Sequence, residues 1–270
     1  MLYIVGTPIG NLDDMTFRAI ETLKSVDLIA SEDTRHTLKL LNHFDIKTPQ
    51  TSYHEHNKKE KGLQLISKLK SGINIALVSD AGMPAISDPG EDLVTLCVQN
   101  NIEFTVIPSA TAFATALVLS GLSTKNFSFE GFLSAKKSER IAQLERLKKD
   151  TRTLIFYEAP HKLQKTLADM LEVFGNRKIA VCRELTKKFE EILRNDISAL
   201  IEHFNNKEPR GEFVIVVSGA LEEEEVFNLP IKIHVQQFID AGMDKKDATI
   251  HVAKLRGIPK REVYNELIKN

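Results

Sequence analysis

Cysteine is nearly missing from this chain: Cys97 and Cys182 are the only two in 270 residues. Both lie in apolar runs, Leu96-Cys97-Val98 and Val181-Cys182, which points to buried free thiols and away from a disulfide. No cysteines stand at metal-ligand spacing. An excess of one charge is missing too. The 36 Lys and Arg face 37 Asp and Glu, for a net charge of −1. Strong non-specific attraction to nucleic acid is not implied, although a local basic patch is still allowed. No hydrophobic run reaches the roughly 18 residues of a membrane span. The start, Met1-Leu2-Tyr3-Ile4-Val5, lacks the basic segment of a signal peptide. The expectation is a soluble, cytoplasmic protein. The first loop, Gly6-x-x-x-Gly10, is not the dinucleotide pattern Gly-x-Gly-x-x-Gly, and no Lys-Ser/Thr pair makes a P-loop. That speaks against NAD and ATP.

What is present is an alternation of short apolar runs and amphipathic stretches. Hydrophobic content is 42%, enough for packed cores in one large or two medium domains. Leu2–Val5, Leu28–Ala30, Thr51–Tyr53, Ile75–Val78 and Ile102–Ile107 are expected strands. Asp13 or Asp14 is expected to cap a helix with Phe17, Ile20 and Leu23 on its inner face. A helix after Glu32-Asp33-Thr34-Arg35 should turn Leu38 and Leu41 inward, and a charged helix should span 59–70. Asp88-Pro89 matches a helix start, with Asp as N-cap and Pro first in the helix. An Ala-rich helix over 110–120 should end at Gly121. This pattern predicts an open parallel sheet with flanking helices.

A second α/β layer is expected to run to about Gly219, with strands over 127–133, 153–157, 178–182 and 213–217. The acidic Glu222–Glu225 stretch marks a boundary, and 230–270 should form two or three short helices, started at Asp244 and Pro259 and stopped at Gly242 and Gly257. The division is residues 1–109 and 110–221 as two α/β domains and 228–270 as a helical extension.

Three loops that follow strands are small or turn-forming: 6–12, 79–90 and 108–112. In a parallel sheet they share one edge, where ligands bind. Gly and Ala there remove side-chain bulk and let backbone approach a nucleoside. Glu32-Asp33-Thr34-Arg35-His36 puts acids and bases at a strand end, either as a cap with dipole compensation or as a polar rim to the cleft. Tyr157-Glu158-Ala159-Pro160-His161 and Arg183-Glu184-Leu185-Thr186-Lys187 repeat the arrangement. His54-Glu55-His56 has no third ligand and is taken as a solvated loop, so no metal is expected. Basic pairs at Lys58-Lys59, Lys136-Lys137, Lys187-Lys188, Lys245-Lys246 and Lys260-Arg261 either keep the surface soluble or form a phosphate footprint.

Taken in order, Thr7-Pro8-Ile9-Gly10-Asn11-Leu12, Glu32-Asp33-Thr34-Arg35, Val78 to Gly90, Phe129-Glu130-Gly131-Phe132, Tyr157 to His161 and Arg183 to Lys187 resemble the small-subunit ribosomal RNA 2′-O-methyltransferases built on the tetrapyrrole-methylase fold. The likeness spans nearly the whole chain, including Lys245-Lys246-Asp247-Ala248 and Lys260 to Tyr264. The chain departs from the usual pattern at Met83 and Ala85, and at Ser109, where Gly is usual. The resemblance implies S-adenosylmethionine held between two α/β domains, a homodimer, and methylation of a cytidine ribose in the 16S rRNA decoding region. It implies cofactor contacts at Pro8, Asp80, Ala81, Gly82, Ala85, Ser109, Thr111, Ala112, Tyr157 and Leu185. Glu32, Glu158 and Glu184 are the candidate bases, with Arg35 and Arg183 as clamps. Lys136, Lys137, Arg183, Lys187, Lys245, Lys246, Lys260 and Arg261 are the expected RNA contacts. A tetrapyrrole methyltransferase and a non-catalytic, ligand-sensing nucleic-acid-binding protein are the rival expectations.

Overall fold

The computed structural model describes residues 1–221 and 229–269. The acidic stretch over 222–225 and the first and last residues of the 228–270 segment lie outside the described residues. The chain divides into two compact units, 1–220 and 221–270.

In the first unit, β1 (Leu2–Val5), β2 (Leu28–Ser31), β3 (Gln50–Ser52), β4 (Ile75–Val78) and β5 (Phe104–Ile107) form a sheet in the order β3-β2-β4-β1-β5. Every pairing in it is parallel. Strand β4, Ile-Ala-Leu-Val, is buried along its whole length, as an apolar run covered on both faces must be. The helices α1 (Phe17–Ser25), α2 (Thr34–His43), α3 (Lys58–Lys70) and α4 (Glu91–Gln99) join these strands. The order places β4, β1 and β5 side by side, so the loops that leave them are neighbours.

The second sheet holds β6 (Phe127–Phe132), β7 (Thr153–Glu158), β8 (Lys178–Arg183), β9 (Glu191–Asp196) and β10 (Phe213–Val217), in the order β6-β7-β10-β8-β9. It is mixed: β10 runs antiparallel to both neighbours, and β8 and β9 form an antiparallel pair. The helices α5 (Ala112–Ser120), α6 (Lys137–Leu147), α7 (Pro160–Phe174) and α8 (Ile197–Asn206) flank it. Both cysteines are buried and free. No described helix is long and apolar enough to cross a membrane.

Several local expectations are corrected. Helix α1 is capped by Thr16, whose hydroxyl accepts from the Ala19 N–H at 3.1 Å; Asp13 and Asp14 sit in a preceding single turn. With the helix set by Thr16, Ala19 and Leu23 face the core and Phe17 is 89% exposed. In α2, Thr37 and Leu41 are buried while Leu38 points outward. Asp88-Pro89 does not begin a helix: α4 starts at Glu91 after Gly90, whose φ of 146° no capping side chain could share. Helix α5 starts at Ala112, not 110, and ends as expected at a left-handed Gly121. Strand β9 was not foreseen.

The second unit contains α9 (Ile231–Asp240), α10 (Lys245–Leu255) and α11 (Lys260–Ile268) around Val235, Ala248, Val252, Ala253 and Val263. Asp244 caps α10, accepting from the Lys246 N–H at 3.0 Å. Gly242 and Gly257 take left-handed φ values after α9 and α10.

Candidate active site

The loops leaving β1, β4 and β5 lock together. Thr7 and Gly82 exchange two backbone hydrogen bonds, Thr7 N–H to Gly82 O at 2.8 Å and Gly82 N–H to Thr7 O at 3.1 Å. The Ser109 hydroxyl donates to Thr7 O at 3.4 Å. A Cβ on Gly6 would stand 2.5 Å from the Ser109 Cβ, so this crossing needs glycine. The loops also meet the second sheet: a Cβ on Gly10 would lie 2.5 Å from the Lys187 side chain and 2.8 Å from Leu185 O.

A cavity of about 320 Å³ lies between the two sheets. Ala81, Gly82, Met83, Ile86, Ser87 and Asp88 wall one side, and Thr111 and Ala112 close the start of α5. Phe132, Tyr157, Glu158 and Leu185, with Glu212 to Val214, form the opposite wall. The Tyr157 hydroxyl accepts from the Phe113 N–H at 3.3 Å, and its ring meets Phe129 and Phe132 edge-on at 4.9 and 5.5 Å. Few polar groups in a mainly apolar lining is the pattern of a small-molecule site. A second hollow, of about 500 Å³, shares Ile9 and Ala81 and adds Pro8, His36, Lys39, Asp80 and Lys187. Of the expected cofactor contacts, Ala81, Gly82, Thr111, Ala112, Tyr157 and Leu185 line the first cavity, and Pro8 and Asp80 line the second. Ala85 and Ser109 line neither; Ala85 packs beside Gly90, and Ser109 holds the β1 loop.

The acids divide sharply by partner. Glu158 is buried; its carboxylate accepts from the Ala159 N–H at 2.8 Å and the Thr166 hydroxyl at 2.5 Å, and pairs with Lys162 at 3.0 Å. Glu184 accepts from the Glu212 N–H at 2.9 Å and Lys187 at 3.1 Å. Burial works to raise the Glu184 carboxyl, but the Glu212 N–H and the Lys187 ammonium overcome it and hold the group below its ordinary value. Both glutamates are tied to the scaffold: Glu158 through both oxygens, Glu184 through Oε1.

On the first sheet the acids crowd one another instead. Asp80 accepts from the Asp33 N–H at 3.1 Å, which brings the β2 and β4 loops together. Burial, then the Asp80 charge, raises Glu32, while the Asp80 N–H works against that. Asp88 is pushed up to about 7, first by burial and then by the charge of Glu32, with Ser79 opposing and Asp80 adding to it. Asp33 caps α2, accepting from the Arg35 N–H at 2.8 Å. It is forked by the Arg35 guanidinium, whose hydrogen bonds bring its carboxyl down to about 2.

The expected RNA-contacting cations also differ. Arg183 is engaged by Glu191 at 2.9 Å and by Arg210 O; Lys187 is shared by Glu184 and Glu212. Lys136 pairs with Glu139, and Lys137 stands 3.6 Å from Asp169. Lys245, Lys246, Lys260 and Arg261 are exposed, and among the described residues no ion pair includes them. Sequence reasoning missed Asp88, Phe132 and Glu212 as cavity residues. For Asp88 the signal was its place in the central loop, masked by its likeness to a helix cap. Among the described residues no group of three or more His, Cys, Asp or Glu is placed to hold a metal.

Residues 1–201 match the profile of the Tetrapyrrole (Corrin/Porphyrin) Methylases. The chain is 52% identical over 269 residues, covering 98% of this chain and 93% of the relative, to a protein of Halalkalibacterium halodurans named ribosomal RNA small subunit methyltransferase I. A protein of the same name from Synechocystis is 48% identical over 267 residues, covering 98% and 96%. Among solved structures, uroporphyrin-III C-methyl transferase from Thermus thermophilus complexed with S-adenyl homocysteine superposes with a TM-score of 0.59 at 14% identity, over 80% of this chain and 96% of that one. Diphthine synthase superposes at 0.61 with 13% identity, over 81% and 89%. At these identities the structures speak for the fold. The fold, the loops around the cavity and the near-full-length relatives agree: the chain belongs to the tetrapyrrole (corrin/porphyrin) methylases and, within them, to the group named ribosomal RNA small subunit methyltransferase I.

Proposed function

We propose that this protein is an S-adenosylmethionine-dependent methyltransferase that modifies the 2′-oxygen of a cytidine ribose in the decoding region of 16S ribosomal RNA. The observation that carries the reading is the likeness, over almost the entire chain, to proteins named for small-subunit ribosomal RNA methylation. The cavity supports the cofactor. Its volume of about 320 Å³ suits a nucleoside-sized ligand, and the small Ala81, Gly82 and Ala112 leave room beside Tyr157, Leu185 and Thr111. Pro8 and Asp80 on the adjoining hollow extend the same surface, and Ala85 and Ser109 shape the loops that carry it. When bound, S-adenosylmethionine supplies an electrophilic methyl group.

The residues of this chain then have to position a ribose hydroxyl and take its proton. Glu158 and Glu184 are spent on the scaffold, so the proton falls to the acids at the rim of the first sheet, where Glu32 is the member foreseen from sequence. Arg35, 90% exposed at its side chain, is placed to meet a phosphate, and Arg183 and Lys187 hold the second-sheet rim in shape. We assign residues 1–109 and 110–221 to the two sheet domains and 228–270 to docking on RNA or the small subunit. Lys245, Lys246, Lys260 and Arg261 make the principal contacts there, and Lys136 and Lys137 further ones. The reading includes a cytoplasmic homodimer without a metal; exposed Phe104 and Val106 on the edge strand β5 give a dimer an apolar surface.

The test is incubation with labelled S-adenosylmethionine and, separately, unmodified small subunits, naked 16S rRNA and a tetrapyrrole, with the methyl group located by mass spectrometry. A methyl on a cytidine 2′-oxygen is the expected result; label on the tetrapyrrole alone, or nowhere, overturns it. Deleting residues 230–270 should weaken RNA binding about 10-fold or more and leave cofactor affinity intact, because each lost phosphate contact removes a counterion-release term.

A further inference from the structure

Asp88 lies on two walls at once. It lines the main cavity with Tyr157 and Glu158, and it also lines an acidic hollow bounded by Glu32, Glu55, Lys58, Glu91 and Asp92. Asp88 is half-buried and borders both the space where a ligand would sit and a separate opening; the charge of its carboxyl reaches Tyr157 in the first, and the charge of Glu32 in the second reaches it. The backbone around it is fixed by unusual geometry. Ala85 and Ser87 both take left-handed φ values, 68° and 66°. A Cβ on Gly90 would come within 2.9 Å of Leu77 and 3.1 Å of Ala85. On the other side, a Cβ on Gly131 of β6 would stand 3.6 Å from the Ser87 hydroxyl, so the loop reaches the second sheet. Left-handed backbone at non-glycine residues is strained and is retained at working sites.

Nothing about this loop serves a helix cap, since α4 begins three residues later without one. Nor, among the described residues, does any ion pair include Asp88. The lysine of the hollow, Lys58, is held by Glu55 and Asp92 at 2.8 Å each. The titratable groups facing Asp88 from its own half are Glu32, Asp80 and the acids of the hollow; from the second sheet they are Tyr157, Glu158 and Glu212.

We propose that Asp88 is the group that accepts the ribose proton, and that Glu32 is a positioning residue whose charge keeps Asp88 ready to bind it and whose hollow lets the proton leave to solvent. The proposal rests on the methyltransferase reading above. In the step, the ribose O–H bond breaks and its proton goes to an Asp88 carboxylate oxygen. The freed electron pair on oxygen forms the new O–CH3 bond as the C–S bond of the donor breaks, its pair staying on sulfur. A sulfonium cation and a carboxylate become a thioether and a carboxylic acid, so the step separates no charge. Burial and the Glu32 charge raise the proton affinity of the Asp88 carboxylate so that it titrates at about pH 7, where a general base is most effective.

The full-length wild type, Asp88→Asn and Glu32→Gln decide this. Carbon-13 NMR of labelled aspartate carboxyls, without cofactor, should show one group titrating near neutral pH. That signal should vanish in Asp88→Asn and move to lower pH in Glu32→Gln. In Asp88→Asn, calorimetric affinity for S-adenosylhomocysteine should stay within about threefold of wild type while single-turnover methylation falls about 100-fold or more. The acid limb of the pH–rate profile should move with the NMR midpoint in Glu32→Gln. Turnover of Asp88→Asn within about fivefold of wild type overturns the proposal. So does loss of homocysteine-product affinity by about tenfold or more, which would make Asp88 a ligand for the ammonium group. If Asp88→Asn does not fold, Glu32→Gln alone decides, because a rate limb and a midpoint that move apart are incompatible with the role. Failure of wild type to methylate RNA counts against the functional reading, while titration and calorimetry still decide the state of Asp88.

Discussion

The two sheets treat their acids in opposite ways. In the half built on the second sheet the buried and half-buried carboxylates have cations: Glu158 has Lys162, half-buried Glu184 has Lys187, and Asp169 has Arg140 in a two-point contact at 2.7 and 2.6 Å. On the first, Glu32, Asp80 and Asp88 repel one another across two loops, the one after β2 and the one after β4. Paired acids stabilise a fold, whereas acids forced together cost stability and retain the capacity to bind protons. The difference teaches where structure ends and chemistry begins in a site where both sheets supply the same residue types.

The comparison breaks most visibly at Asp169. Asp169→Ala leaves Arg140, only 4% exposed, without its counter-charge, and should cost about 3–5 kcal/mol in urea unfolding. A loss below about 1 kcal/mol would mean that the second-sheet pairs are not holding the fold. Glu158→Gln comes next. It weakens the Lys162 pair and the Thr166 hydrogen bond and should cost about 1–3 kcal/mol, measured the same way.

A smaller effect has the opposite sign. A carboxyl raised from 3.8 to about 7 holds its proton more tightly folded than unfolded. Between about pH 4 and 7 the folded chain then binds more protons, so stability falls as pH rises through that window. The Asp88 contribution should be on the order of 1 kcal/mol after solvent screening, and Asp88→Asn should flatten the curve. Stability rising through the window by the same amount would erase the contrast between the sheets. The smallest change is Arg35→Ala. Its pair with Asp33 is largely exposed, so stability should move by less than about 0.5 kcal/mol, while RNA affinity drops and its salt dependence weakens.

Much of this was legible from local signals. Apolar runs, the alternation of 127–133 and the short Thr51-Ser52-Tyr53 stretch marked nine of the ten described strands, and clusters of Gly, Ala, Pro and Asp marked the three cavity loops. Strand β9, Glu191-Ile192-Leu193-Arg194-Asn195-Asp196, escaped because polar ends surround only two apolar residues and no turn glycine precedes it. Asp88 escaped for a different reason. Asp-Pro is a local helix-start signature, and the charge that changes its role comes from Glu32, far away in sequence. The bonds that silence Glu158 and Glu184 were partly visible: Lys162 and Lys187 stand four and three residues on, within reach of an ion pair.

The backbone exchange between Thr7 and Gly82 has a dynamic consequence. It is an antiparallel bridge joining loops of a wholly parallel sheet, and both amides of the pair depend on the same closed arrangement. Opening either loop releases both, so their amide hydrogens should exchange with solvent as one event. A ligand touching only Gly82 would then slow exchange at Thr7, although the two are 75 residues apart.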